Sequence, residues 1–231
     1  MDVLASSALL AASAPVMLGV GALVRWRLGS PVLFRQRRPG RGGEPFTLLK
    51  FRTMTDAIDS AGRPLADTER LTPLGRWLRR TSLDELPELL NVLRGEMSLV
   101  GPRPLLMRYQ PYYRPRERLR EQVRPGITGL AQVSGRNHVD WDTRLEHDAR
   151  YVENLSARLD ARILARTLLQ VGRGADVEVD PSATMKDLDE ERRPAPRILP
   201  LPGARAEELV ALHRNAFAAA QLDTTIFGSP G

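Results

Sequence analysis

The stretch "MDVLASSALLAASAPVMLGVGALVRWRLGS" (residues 1–30) decides what kind of fold the chain can have. No charged residue falls between Asp2 and Arg25. As a helix, Val3 to Val24 would extend about 33 Å, near the hydrocarbon thickness of a bilayer. Pro15 sits in the middle. An interior proline removes a helical hydrogen bond and costs roughly 3 kcal/mol, so a break into two limbs of about 13–18 Å is expected, neither able to cross alone. A secretory signal fits poorly, because no basic segment precedes the apolar run and Pro15 directly follows the cleavage-like "ASA". A kinked single span, a buried core helix and a re-entrant helix that enters and leaves by one face remain. The re-entrant form alone accounts for both the length and the proline, and residues 1–28 are assigned to it.

The residues that follow are strongly basic. Arg25, Arg27, Arg35, Arg37, Arg38, Arg41, Lys50 and Arg52 face only Glu44. Such a block is ordinarily a solvated surface. Directly after an apolar segment it also suits anionic headgroups, at about 1 kcal/mol per residue, and places that side in the cytoplasm. The whole chain of 231 residues carries 34 Lys+Arg against 28 Asp+Glu. A basic balance suits nucleic acid, a phosphate-bearing substrate or an anionic membrane. With aromatics at 5%, base stacking is poorly served, and no nucleic-acid partner is expected. The absence of cysteine excludes disulfides, thiolate chemistry and cysteine zinc sites. His138, His147 and His213 are too few for a multi-histidine centre, so a metal here would be a hard ion on carboxylate and phosphate oxygens. The only lysines are Lys50 and Lys186, which raises the question of a compact ammonium where arginine is the rule.

Further along, Val32–Gln36 and Phe46–Phe51 read as strands around a Gly/Pro/Arg turn, and residues 55–70 as a polar loop. Thr72 and Pro73 have the N-cap and first-position chemistry of a short helix. The next stretch, "RTSLDELPE" (residues 80–88), holds adjacent carboxylates Asp84 and Glu85. Ser82 and Glu85 have capping-box spacing, and Leu86, Leu89, Leu90 and Leu93 form a helical stripe that Pro87 either starts or bends. Both versions leave the carboxylates at a helix mouth, where the dipole favours their ionised form. More helix is expected over residues 140–173. The fold class is therefore α/β, a mostly helical catalytic domain with a few short strands over residues 29–185. Residues 186–231 read as a charged, proline-rich linker and an extension of unknown role, with a helical pattern over Ala206 to Leu222.

Three cationic stretches accompany the acidic pair. "SLVGPRPLL" sets Arg103 between two prolines; "VRPGITGLAQVSGRN" carries Arg124, Gln132, Arg136 and Asn137 among glycines that would let backbone N–H groups approach a ligand; "LLKFRTM" carries Lys50 and Arg52. Each is weak evidence by itself. Together with one acidic pair they suggest a pyrophosphate site with a hard metal ion.

The order "SPVLFRQRRPG", "KFRTM", "RRTSLDELPELLNVLRGEMSLVGPRPLL", "VRPGITGLAQVSGRN" and "DARYV" resembles the bacterial sugar transferases, the monotopic phosphoglycosyl transferases, over roughly residues 2–185. The resemblance implies transfer of a sugar 1-phosphate from a UDP-sugar to polyprenyl (undecaprenyl) phosphate, with release of UMP, as the first membrane step of glycoconjugate biosynthesis. It implies that Asp84 is the nucleophile, forming a covalent phosphosugar-enzyme, and that Glu85 handles the polyprenyl phosphate or its proton. Lys50, Arg79, Arg103 and Arg136 match positions that bind phosphate, uridine or lipid headgroup. Mg²⁺ is the implied cofactor, held beside Asp84 and the pyrophosphate. The implied location is the bacterial inner membrane with the catalytic domain facing the cytoplasm, with membrane lipids, a homo-oligomer or pathway glycosyltransferases as partners. In one departure, Ala14-Pro15 stands where the family usually has Ser-Pro, with Ser13 one position earlier. Two rival functions stay open: a membrane-associated glycosyltransferase that releases UDP, and a non-catalytic basic module for lipid or nucleic acid. The second predicts steeply salt-dependent binding and leaves Asp84 and Glu85 without a role.

Overall fold

The computed structural model describes residues 2–134, 140–172 and 186–192. Its first element, α1 (Asp2–Leu28), is long and apolar enough to cross or enter a membrane. It runs unbroken past Pro15, where the sequence predicts a break. Packing supplies the reason. Ser6, Val20 and Val24 are buried, and Leu10, Ser13, Met17 and Leu28 are partly covered, so one stripe is held on both sides of the proline. Tertiary contacts of this kind override local propensity. The Ser13 hydroxyl donates to the Leu9 carbonyl at 2.7 Å, within the turn that precedes the proline. The other faces are apolar too: Val3, Leu4, Leu9, Val16 and Leu18 are exposed. A helix apolar all round that buries only one stripe needs another apolar medium.

After α1 the chain forms a hairpin of β1 (Leu33–Pro39) and β2 (Pro45–Phe51), antiparallel, with Leu33 opposite Phe51 and Pro39 opposite Pro45. Gly42 and Gly43 turn the corner with φ of 72° and 78°, a region that side-chain-bearing residues avoid. β1 is longer than the alternation suggests, because Pro39 sits at its end, where the missing N–H breaks no ladder. Phe51 leaves β2 to join Val20, Val24 and Leu78 in one apolar cluster. That cluster ties α1 to the domain.

The segment expected to be a polar loop contains a short helix, α2 (Asp67–Arg70), and the bridges Met54–Leu71 and Ile58–Pro64. α3 (Pro73–Arg80) begins as its sequence predicts: Thr72 accepts a hydrogen bond from the Gly75 amide at 3.0 Å. Gly75 is required for a different reason. A Cβ there would lie 2.0 Å from the Thr53 carbonyl oxygen, so the helix rests directly on the backbone leaving β2.

Next, α4 (Glu88–Leu93) is clamped to β2 by the fully buried Asn91. Its amide nitrogen donates to Thr47 O and Glu96 Oε2, both at 2.7 Å, and its oxygen accepts from the Leu49 amide at 3.1 Å. A second sheet, absent from the sequence reading, pairs β3 (Ser98–Val100) in parallel with β4 (Gly126–Thr128). The rest is helical: α5 (Leu130–Ser134), α6 (Trp141–Glu153) capped by Asp140, α7 (Ala157–Gly172) and α8 (Leu188–Glu191). The compact unit extends through Arg192, past the boundary at residue 185 that composition suggests. Leu188 is the reason, being fully buried with Tyr109, Tyr113, Trp141 and Leu145, while Arg192 pairs with Glu117 at 2.6 Å. The helical pattern over Ala206 to Leu222 lies outside the described residues.

Gly75→Ala is expected to push α3 off the Thr53 backbone and to destabilise the domain by about 1–3 kcal/mol. A lowered thermal midpoint in detergent would register it, and an unchanged midpoint would contradict the close contact.

Candidate active site

The site is built on the tight link between α3 and α4. Ser82 turns the chain with φ of 55°, a left-handed conformation uncommon outside glycine, and Leu83–Glu85 then form a single 3-10 turn. Such a backbone costs about 1–3 kcal/mol and persists only where its surroundings enforce it. Here α3 rests on Thr53 and Asn91 clamps α4, so both ends of the link are fixed. The Ser82 side chain makes no capping bond, and the capping box suggested by its spacing to Glu85 does not form. A left-handed Ser82 cannot take the extended backbone that an N-cap requires. Asp84 and Glu85 accordingly lie on the turn itself and not at the mouth of a helix, and their environments diverge.

Glu85 is gripped by two cations. Its Oε1 accepts from Lys50 Nζ at 2.6 Å and forms a short ion pair with Arg103 Nη2. Lys50 arrives from β2 and Arg103 from the loop after β3. Burial would raise the Glu85 pKa, but Arg103 and Lys50 overturn this and hold the carboxyl well below the usual range. Asp84 goes the other way. It is 7% exposed, and among the described residues no hydrogen bond or ion pair engages its carboxylate. Burial, then the charge of Glu85, pushes it up against the pull of Lys50, Arg79 and Arg103. The helix-dipole expectation of two favoured carboxylates thus holds for neither: Glu85 is ionised through side-chain cations, and Asp84 is left short of positive charge.

Glu88, not singled out in the sequence, is the third acid of the cluster. It is 2% exposed, and its Oε1 lies 3.1 Å from Lys50 Nζ. Burial raises its pKa to about 7, with Lys50 opposing and Glu85 adding to the rise. Its spacing, three residues past Glu85 on a helical stretch, is the signal that could have found it. Lys50 therefore bridges two carboxylates through one compact ammonium.

The other candidates divide. Arg79 donates to Thr53 Oγ1 at 3.3 Å and acts on Asp84 through its charge. Arg52 is drawn out of the site: it is buried and donates to Met54 O at 3.0 Å and to the Leu28 and Ser30 carbonyls, both at 3.2 Å, closing the end of α1. Two of the three glycines expected to admit a ligand to the backbone, Gly126 and Gly129, let two loops touch, and Gly135 lies outside the described residues. A Cβ on Gly126 would lie 2.1 Å from the Gly101 amide, and one on Gly129 would lie 2.2 Å from the Gly101 carbonyl. Gln132 keeps both side-chain polar atoms buried and without a partner among the described residues. Arg136 and Asn137 lie outside the described residues.

Chemically, the arrangement offers a buried carboxylate with free lone pairs beside a carboxylate whose charge is already neutralised, with Lys50, Arg79 and Arg103 around them. That suits attack on an anionic electrophile. Comparison with known proteins supplies the family. The sequence profile described as "Bacterial sugar transferase" matches residues 1–174. The chain is 52% identical over 170 residues to EpsL of Bacillus subtilis, described as an uncharacterized sugar transferase, covering 74% of this chain and 84% of that one. It is 44% identical over 179 residues to a UDP-glucose:undecaprenyl-phosphate glucose-1-phosphate transferase of Caulobacter vibrioides, covering 73% and 67%. It is also 41% identical over 184 residues to the exopolysaccharide production protein ExoY of Rhizobium meliloti, covering 72% and 81%. With the profile spanning the hairpin, the acidic turn and the loops that meet there, the chain belongs to the bacterial sugar transferases, a family of enzymes.

Proposed function

We propose that this protein moves a sugar 1-phosphate from a UDP-sugar to polyprenyl phosphate at the cytoplasmic membrane face, through a covalent intermediate on Asp84, releasing UMP. The observation that carries the proposal is the split between neighbours: Glu85 saturated by Lys50 and Arg103, Asp84 buried and unengaged. The names of the Caulobacter relative and of a Salmonella typhimurium undecaprenyl-phosphate galactose phosphotransferase, 39% identical, support the same reaction class.

In the first half-reaction an Asp84 oxygen attacks the β-phosphorus. The bond from that phosphorus to the bridging oxygen breaks, and its electron pair leaves with UMP. In the second, an oxygen of polyprenyl phosphate attacks the same phosphorus, and Asp84 departs as a carboxylate. A carboxylate is a weak nucleophile but a good leaving group, so one small site can serve a soluble donor and a lipid acceptor in turn. Arg103 has donors to spare beyond its bond to Glu85, and Lys50, Arg79 and, in this proposal, Arg136 complete the phosphate contacts. Glu85 holds Lys50 and Arg103 in place and faces the incoming lipid phosphate.

Mg²⁺ fits the donor set. Among the described residues no three acidic or histidine side chains, the Asp84, Glu85 and Glu88 cluster included, are placed to hold a metal by themselves, but this ion is commonly held by one or two carboxylates together with substrate phosphates. Asp84, short of positive charge, is the residue that would hold it, and the ion would supply charge neutralisation at the pyrophosphate.

For the membrane, we propose the re-entrant arrangement expected from the sequence: α1, unbroken here, would bend at Pro15 within the bilayer so that both of its ends face the cytoplasm. Its C-terminal half is tied to the catalytic unit, where Val20 and Val24 pack beside Phe51 and Leu78, so that end is held at the face that bears the site. A rival glycosyltransferase chemistry would release UDP, and a non-catalytic module would release neither nucleotide.

Asp84→Asn is expected to lower UMP release by about 10³-fold or more and to abolish the phosphosugar adduct in intact-protein mass spectrometry, whereas Glu85→Gln retains some adduct. Full turnover by Asp84→Asn overturns the covalent route. Chelation with EDTA should stop UMP release and added Mg²⁺ restore it; activity that persists in EDTA removes the metal from the scheme. In a chain without native cysteine, Asp2→Cys should label from the cytoplasmic side. Labelling only from the opposite side would make α1 a span.

A further inference from the structure

Arg103 stands between Pro102 and Pro104 in a segment without regular secondary structure, yet its guanidinium must meet Glu85. Its backbone is fixed from behind. Arg120 Nη2 donates to the Arg103 carbonyl at 2.5 Å. The remaining nitrogens of Arg120 are all committed: Nε to Asp148 Oδ2 at 3.2 Å and Nη1 to the Tyr113 hydroxyl at 2.6 Å. Arg120 is 6% exposed and Asp148 2% exposed, so this ion pair is sealed from water. Asp148 belongs to the "DARYV" stretch of α6, which the proposed chemistry does not use.

Stability is a poor reason for such a pair. Desolvating two charges costs several kcal/mol each, and apolar replacements of similar volume are often neutral or stabilising. Geometry is a better one. The turn that bears Arg120 is braced against α6 by Arg116, which bonds Glu146 at 2.9 Å and Glu153 at 2.7 Å, and Arg114 bonds Asp142 at 2.8 Å. A guanidinium fixed at three points on that brace is a rigid peg for one carbonyl.

We infer that the buried Arg120–Asp148 pair is a positioning device: it pins the Arg103 backbone so that the Arg103 side chain reaches both Glu85 and the substrate phosphate. This rests on the phosphate role proposed for Arg103. Neither Arg120 nor Asp148 touches substrate; both act through Arg103.

The test is a cycle on the full-length enzyme in detergent, reading UMP release and thermal midpoint. Arg120→Met with Asp148→Leu removes both charges and keeps apolar bulk. The midpoint should stay near wild type while kcat/KM falls by about 100-fold, the scale of an ångström-sized misplacement. Arg103→Ala should then cost far less in that background than in wild type, because the two changes disable one function. Losses that multiply independently, or a double variant at the wild-type rate, overturn the inference. Should the double variant fail to fold, Arg120→Lys takes its place in the same cycle, since one ammonium cannot bridge Asp148, Tyr113 and the Arg103 carbonyl together. If Arg103→Ala alone leaves UMP release unchanged in wild type, the reading of Arg103 fails and the inference fails with it.

Discussion

Everything in this molecule converges on one carboxylate, Glu85, held between an ammonium from a hairpin strand and a guanidinium from a distant loop. Those groups are remote in sequence, and each is delivered by a separate device. Asn91 sets the spacing between β2, which carries Lys50, and α4, which follows the acidic turn. Gly75 lets α3 lie on the backbone at Thr53, and the Gly101–Gly126 contact lets the loops around Arg103 close on each other. Buried charges of this kind contribute little net stability. What they enforce is a single arrangement, in which Asp84 is the acid left over.

Proximity then makes two chemically similar residues unlike. Glu85 and Asp84 are neighbours on one turn, but the cations satisfy the first and burial isolates the second. Environments that drive paired acids in opposite directions are a common way of dividing roles within a site. Glu88 adds a second brace to Lys50, so the ammonium is anchored from both α4 and the turn before it.

Much of the scaffold was legible in the sequence where a local rule decides the outcome. The hairpin followed from alternation around a Gly-rich turn, and α3 from Thr72 and Pro73. The meeting of Lys50 and Arg103 at Glu85 was legible as cationic stretches surrounding an acidic pair. What was not legible depends on distant contacts. Three-residue strands such as Ser98–Val100 carry no periodicity, and their parallel pairing with Gly126–Thr128 is a matter of topology. The left-handed Ser82 defeats a capping box that spacing alone suggests. Continuity across Pro15 is imposed by a stripe packed on both sides of it, and the burial of Leu188 within a charged stretch depends on packing against Tyr109, Tyr113 and Trp141, which are distant in sequence.

The two-sided character of α1 has a practical meaning for anyone handling the enzyme. Val20 and Val24 share a cluster with Phe51 and Leu78, so part of this helix is core in the same sense as any strand of the domain. Its opposite surface carries Leu4 and Leu18, 79% and 75% exposed, with nothing among the described residues to cover them. Cutting the helix away to obtain a water-soluble catalyst would leave an open trough beneath the very strand that bears Lys50, and keeping it leaves a greasy ridge. In α1, the face that seeks an apolar medium and the face that completes the core belong to one helix.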